Sequence, residues 1–280
     1  MKENGHQKKC IGNYTLEKMI GKGENSDIYL TNDNKYLVKQ YNRLLKEDIL
    51  NKLKKEINFL QKLHHPNIVR FIDLKKTPSN FYLILEYCRG GNLSTILQEY
   101  YNLYQKHFSE EIIQYLMKQI IPAIHYIHSQ NIFLGNINLK KILIHFENEN
   151  DKKILNLMNS KIKIYDFKLC QQVEKNKLLL SYNGNMNPMY LNQIYSFQDK
   201  RKDILSLGIM CYKMIFGENY LDDKTIIDQI EKEQFPNNIT LSKEFISFLK
   251  RMTHKMSGKR ASIEELCTHE FLIKNYSDFH

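Results

Sequence analysis

From Tyr14 to Leu30 the chain alternates, running Y-T-L-E-K-M-I-G-K-G-E-N-S-D-I-Y-L. A period of two with Tyr, Ile and Leu on it predicts two half-buried strands joined by a glycine turn. K-Y-L-V-K-Q-Y predicts a further short strand ending at Lys39. The period then changes. Over residues 43–63, Leu45, Ile49, Leu53, Ile57 and Leu60 fall on one helical stripe, with Glu56 off it. N-F-Y-L-I-L-E-Y, from Asn80, reads as a buried strand that runs into a glycine pair and a short helix ending near Leu97. A long helix is predicted from Ser109 to Gln130. Ser109 suits its N-cap, Glu110 and Glu111 suit its first turn, and Pro122 should bend it. The polar stretch after Ile144, H-F-E-N-E-N-D-K-K, reads as a surface loop, and residues 1–12 read as a loose tail.

The length of 280 residues, 42% of them hydrophobic, suits one large domain or two lobes with a shared cleft. No apolar run reaches the roughly 18 residues of a membrane span. The first residues, M-K-E-N-G-H-Q-K-K-C, lack the apolar core of a signal peptide. Five scattered cysteines without a C-x-x-C pair predict a reduced, cytoplasmic setting and no zinc site. The net charge of +10 would attract acidic partners, but the bases alternate with acids along the predicted helices, as solvated faces do. No nucleic-acid motif is present, so neither nucleic acid nor membrane is an expected partner.

Several stretches carry chemistry in a fixed order. After I-H-Y-I-H-S-Q, residues Asn131 to Ile144 read N-I-F-L-G-N-I-N-L-K-K-I-L-I, and K-I-K-I-Y-D-F-K follows. This order resembles the catalytic loop H-R-D-L-K-P-x-N and the metal loop D-F-G of the eukaryotic protein kinases. Gly21 and Gly23 match the glycine-rich loop G-x-G-x-x-G-x-V, with Ser26 at the third glycine. Lys39 matches the lysine of V-A-I-K, with Leu37 where the family has a small alanine. H-H-P-N-I-V sets a register in which Glu56 pairs with Lys39; the plainer reading is a surface pair between Glu56 and Lys52. E-Y-C-R-G-G-N-L resembles the hinge, with Leu85 at the gatekeeper position, and this region is most similar to the Unc-51-like serine/threonine kinases. In D-I-L-S-L-G-I-M-C-Y-K-M-I-F-G, Asp203 would cap the catalytic-loop backbone.

The resemblance covers residues 14–273. It implies an α+β, two-lobed kinase fold: a tail over 1–13, an N-lobe over 14–87, a hinge near 86–90, a C-lobe over 88–273 and a second tail over 274–280. It also implies ATP as a ligand of Gly21, Gly23, Ile28, Lys39, Glu56, Glu86, Cys88, Leu143 and Asp166, with Asp166 the acidic metal ligand. Leu60, Phe71, Leu134 and Phe167 would stack from the regulatory helix to the catalytic loop.

The reacting groups depart from the family. Asn136 stands at the base position, and a positioned base is worth roughly 10²–10⁴ in rate. Asn138 replaces the lysine that steadies the transferred phosphoryl group. Lys141 replaces the second metal ligand, and an ammonium has no acceptor lone pair. Gly135 replaces the arginine that reads activation-loop phosphate, and Lys168 replaces the glycine of D-F-G. Cations at 141 and 168 beside Asp166 disfavour magnesium. At the end of the activation segment Gly184 matches, but Leu191 and Asn192 replace proline and glutamate, which leaves Arg260 without its usual partner. Three readings stay open. The first is an inactive kinase-fold scaffold or allosteric partner, for instance of an active kinase. The second is a weak or atypical serine/threonine kinase using Lys39, Asp166 and a displaced carboxylate such as Glu147 or Glu149. The third is a basic adaptor for an acidic polymer.

Overall fold

The computed structural model describes residues 9–172, 200–217, 221–236 and 239–274. The chain divides into two compact units, the first comprising the chain up to His64 together with Ile68–Cys88. Its strands are β1 (Lys9–Ile11), β2 (Tyr14–Gly23), β3 (Ser26–Thr31), β4 (Tyr36–Asn42), β5 (Phe71–Lys76) and β6 (Asn80–Glu86). They form one antiparallel sheet in the order β1-β2-β3-β4-β6-β5, and the helix α1 (Glu47–Lys62) joins β4 to β5.

The strand β1 corrects the expectation of a loose tail over its three residues. Gly12 turns the chain with a φ of +58°, a conformation that costs glycine little, so β1 can pair with β2. Ile11 then joins Leu16, Val38, Tyr82 and Ile84 in a buried cluster. Lys9 donates to Gln40 at 2.7 Å and lies 5.2 Å from the Tyr82 ring centre. K-C-I is too short and too polar to announce itself as a strand without these neighbours.

The second unit comprises His65–Asn67 and the chain from Arg89 onward. Gly91–Asn92 (β7) leads into α2 (Leu93–Tyr104), whose first turn is capped by Asn92 accepting from the Thr95 N–H. The long helix α3 (Glu110–Ser129) starts at Ser109, as its cap chemistry predicts, and carries Pro122 within it. It buries Ile113, Leu116, Ile120, Ile124 and Ile127, each of which contributes on the order of 1.5–3 kcal/mol. Two short sheets follow: β8 (Ile132–Phe133) pairs with β11 (Gln171–Gln172), and β9 (Ile142–Phe146) lies between β7 and β10 (Ser160–Ile164). The stretch expected to be a loop between β9 and β10 contains a short helix, α4 (Glu149–Lys153). Asn148 starts that helix by accepting from the Asp151 N–H at 2.8 Å.

From residue 200 onward come α5 (Arg201–Phe216), α6 (Asp223–Lys232), α7 (Lys243–Thr253), α8 (Ile263–Cys267) and α9 (Glu270–Ile273). The buried Glu110 ties α3 to the start of α7 by accepting from the Ser242 N–H at 2.8 Å and its hydroxyl at 2.5 Å. The helices α5 and α7 meet at Gly208, where a Cβ would lie 2.5 Å from Thr253 Cγ2 and 2.9 Å from Met252 Cβ. Gly208→Ala should therefore overpack this seam. The expected loss is about 1–3 kcal/mol, read as a lower denaturation midpoint.

Burial holds the pKa values of His65, His107 and His269 below the usual 6.5. The unfolded chain therefore binds more protons than the folded one as pH falls through 6.5 toward the folded values, and stability is lost in that window. Asp73 and Asp228, lowered by their lysine hydrogen bonds, act only further down, as pH falls through 3.8. The melting temperature should thus already fall between about pH 7 and 5.5. No helix among the described residues is long and apolar enough to cross a membrane, and none of the five cysteines is in a disulfide.

Candidate functional site

In the first unit, the sheet register sets Gly21 opposite Ile28, Ile28 opposite Lys39 and Lys39 opposite Leu83. Directly opposed residues of an antiparallel ladder share a face, so three residues expected to bind nucleotide form one cross-strand row. Gly23 closes the turn, where a Cβ would lie 2.6 Å from Ser26 Oγ, while Gly21 faces open space. The Lys39 ammonium donates to Glu56 Oε1 at 2.9 Å, and the Glu56 side chain is completely buried. The pairing implied by the kinase resemblance is thus formed, and the surface pair with Lys52 is not. Glu56 lies on the inner face of α1 with Leu53 and Leu60, which corrects its expected place off the stripe. An apolar-only helical pattern does not register a carboxylate that is buried because a lysine meets it.

Leu85 is buried opposite Leu37, which is half-buried. Glu86 ends β6 with its N–H on the Arg70 carbonyl (3.1 Å) and its carboxylate accepting from the Arg70 N–H (2.7 Å). Cys88 is buried, as are Leu60 and the inward face around it.

In the second unit, Asp203 performs the capping role expected of it. Its carboxylate accepts from the N–H groups of Leu134 (2.8 Å) and Gly135 (2.9 Å) and lies 2.9 Å from His128 Nε2. Gly135 holds a φ of +75°, which the family's arginine would adopt only with strain. Next along the loop, Asn136 is exposed, and its side-chain oxygen accepts from Asn138 Nδ2 at 3.2 Å. Asn138 also accepts from the Lys140 N–H at 3.0 Å, capping one 3-10 turn over Leu139–Lys141. The two amides thus satisfy each other and the backbone. Neither can take a proton from a hydroxyl at neutral pH.

The β9–β10 register pairs Ile142 with Ile164, so Lys141, just before β9, arrives beside the segment just after β10. Tyr165 N–H donates to the Lys141 carbonyl at 3.1 Å and fixes that approach. The Lys141 ammonium lies 3.8 Å from Asp166 Oδ2. Asp166 sits at a φ of +67°, a left-handed conformation costing roughly 1–2 kcal/mol for a residue with a Cβ. Its Oδ1 is buried with no hydrogen-bond partner. Among the described residues Lys168, expected close by, forms no ion pair with Asp166, and the ion pair Asp166 makes there is with Lys141. Phe167 and Leu134 are buried, and Leu143, half-buried, faces opposite to Ile142 and Ile144 along β9.

Magnesium seeks oxygen ligands in a near-octahedral shell. Among the described residues no three His, Cys, Asp or Glu side chains come together as a metal group, and the second ligand position presents an ammonium. The residues present do not fit a divalent ion. The glycine turn and Lys39 do fit phosphate, through backbone N–H groups and a positive charge.

Three supports of the site escaped the sequence reading. Lys200 donates to the His128 carbonyl at 2.5 Å. His128 itself stands on Asp203, a role that I-H-S just before the loop could have suggested. Asn67 donates to the Ile162 carbonyl (3.0 Å) and accepts from the Ile164 N–H (2.8 Å), steadying the strand that carries Asp166. Arg260, without the family's usual glutamate partner, donates to the carbonyls of His254 (2.8 Å) and Arg201 (3.3 Å). Gly184, Leu191 and Asn192 lie outside the described residues.

A family model described as the protein kinase domain matches residues 14–272. The serine/threonine-protein kinases ATG1c and ATG1b of Arabidopsis thaliana are each 25% identical, over 96% and 98% of this chain. The maternal embryonic leucine zipper kinase of Xenopus tropicalis is 27% identical over 94% of it. The chain spans 37%, 38% and 40% of the lengths of these three relatives. With the model covering nearly its whole length, and with the lysine–glutamate pair and the capped catalytic loop in place, the chain belongs to the protein kinase family.

Proposed function

We propose that this protein is a pseudokinase, a kinase domain that works by binding as a scaffold or allosteric partner, with an active serine/threonine kinase as the class of protein it engages. One observation carries the reading: at the metal loop the single carboxylate, Asp166, faces the Lys141 ammonium at 3.8 Å where a second metal ligand would stand. The amide pair Asn136–Asn138 supports it, because a base and a phosphoryl-binding cation are both replaced by groups that bond each other. The formed Lys39–Glu56 pair favours a second reading, a weak serine/threonine kinase, since it is the part of the phosphate-binding apparatus that remains.

The Asn136→Asp variant tests the second reading through a gain of activity. Restoring the base alone is expected to add no phosphotransfer to a mixed serine and threonine peptide substrate, because Asn138 and Lys141 remain. A gain of the roughly 10²–10⁴ that a base supplies would show that the base was the one missing group and favour the weak kinase.

A further inference from the structure

We infer that the Lys141 ammonium takes the place of a divalent cation beside Asp166, so that a nucleoside triphosphate binds this chain without metal. The inference deepens the pseudokinase reading and rests on it.

The placement of Lys141 is built rather than incidental. Its N–H donates to the Asn138 carbonyl at 2.9 Å, and its carbonyl accepts from Tyr165 at 3.1 Å, so the backbone is held on both sides. Its side chain is only 12% exposed, against 41–61% for the solvent-facing lysines 75, 161, 255 and 274 in their ion pairs. A long flexible side chain confined in this way has already lost most of its rotamer freedom. At 3.8 Å the contact with Asp166 is an ion pair and too long for a hydrogen bond. The three ammonium donors therefore stay available to further acceptors, such as phosphate oxygens.

The carboxylate side is equally particular. Asp166 is held in a strained left-handed backbone, and such strain gathers at functional positions. Its Oδ1 is buried without a hydrogen bond, so Lys141 supplies the counter-charge in the second unit. A divalent ion approaching this carboxylate would meet a like charge already in place and a ligand position without a lone pair. A triphosphate would meet at Lys141 a fixed cation already in place.

Titration with a fluorescent ATP analogue, in magnesium and in EDTA, tests this on the wild type and on Lys141→Asn, which restores a neutral oxygen ligand. The wild type should bind with the same affinity in both buffers. Lys141→Asn should bind at least tenfold more weakly in EDTA and recover with magnesium, and its melting temperature without nucleotide should show that it is folded. Wild-type binding only with magnesium would overturn the inference and reopen phosphotransfer. No binding in either buffer would overturn the inference too, while leaving the absence of phosphotransfer standing. Equal binding by the wild type and Lys141→Asn in EDTA would show that Lys141 is not the cation concerned.

Discussion

Asp203→Ala should lower the stability of the second unit by roughly 3–5 kcal/mol, summed over the donors left unpaired at about 1–3 kcal/mol each. Asp203 is 1% exposed, and its two oxygens serve three donors: His128 and the N–H groups of Leu134 and Gly135. Truncation leaves the buried Leu134 N–H and the part-buried Gly135 N–H without their acceptor, at about 1–3 kcal/mol for each that water does not reach. Asp203→Asn keeps the shape but brings two donors where only acceptors fit, so it should recover only part of the loss. Domain stabilities are typically about 5–15 kcal/mol, so the alanine variant should melt many degrees lower. A denaturant midpoint within error of the wild type would mean that the catalytic-loop backbone is held by something else.

The second large effect is Lys39→Ala. It leaves the fully buried Glu56 carboxylate without its cation, and Glu56 Oε2 already lacks a hydrogen bond. The expected cost is again about 3–5 kcal/mol. The informative companion is the double variant Lys39→Met with Glu56→Leu, which replaces charge by packing. It should be neutral or up to about 4 kcal/mol more stable than the wild type, as replaced buried ion pairs often are. That contrast, measured by urea denaturation, separates two questions. If the double variant is stable while the single one is not, the pair is not there to hold the fold, and a ligand-binding role accounts for it. Equal destabilisation by both would make the pair structural.

How much of this could be read from the chain depended on whether a residue acts through its neighbours in sequence or in space. The long helix α3 was legible because Ser109, the two glutamates and the isoleucine stripe all act within the helix itself. The strand row Gly21, Ile28 and Lys39 was legible only through the motif frame, since alternation alone does not set cross-strand register. Glu56 was assigned the right partner by that frame and the wrong face by periodicity. The strand at Lys9–Ile11 was missed because its stability lies in contacts with Tyr82 and Gln40, roughly 70 and 30 residues away in sequence. Helix α4 was missed because N-E-N-D-K-K is polar all round, and only the Asn148 cap starts it. At the site, the lost groups were visible as letters. What Asn138 does instead, capping its own turn and holding Asn136, was not, because a side chain's second role depends on local backbone geometry.

The most direct measurement is single-turnover phosphoryl transfer from radiolabelled ATP, with the protein in excess and magnesium present, comparing the wild type with Asp166→Asn. Transfer by either route, to itself or to a serine or threonine peptide, would be seen. We expect no incorporation by the wild type above that of Asp166→Asn. Incorporation that the wild type shows and Asp166→Asn loses would contradict the pseudokinase reading, since it would mean that Asp166 still directs a reacting phosphate despite Lys141 at its side.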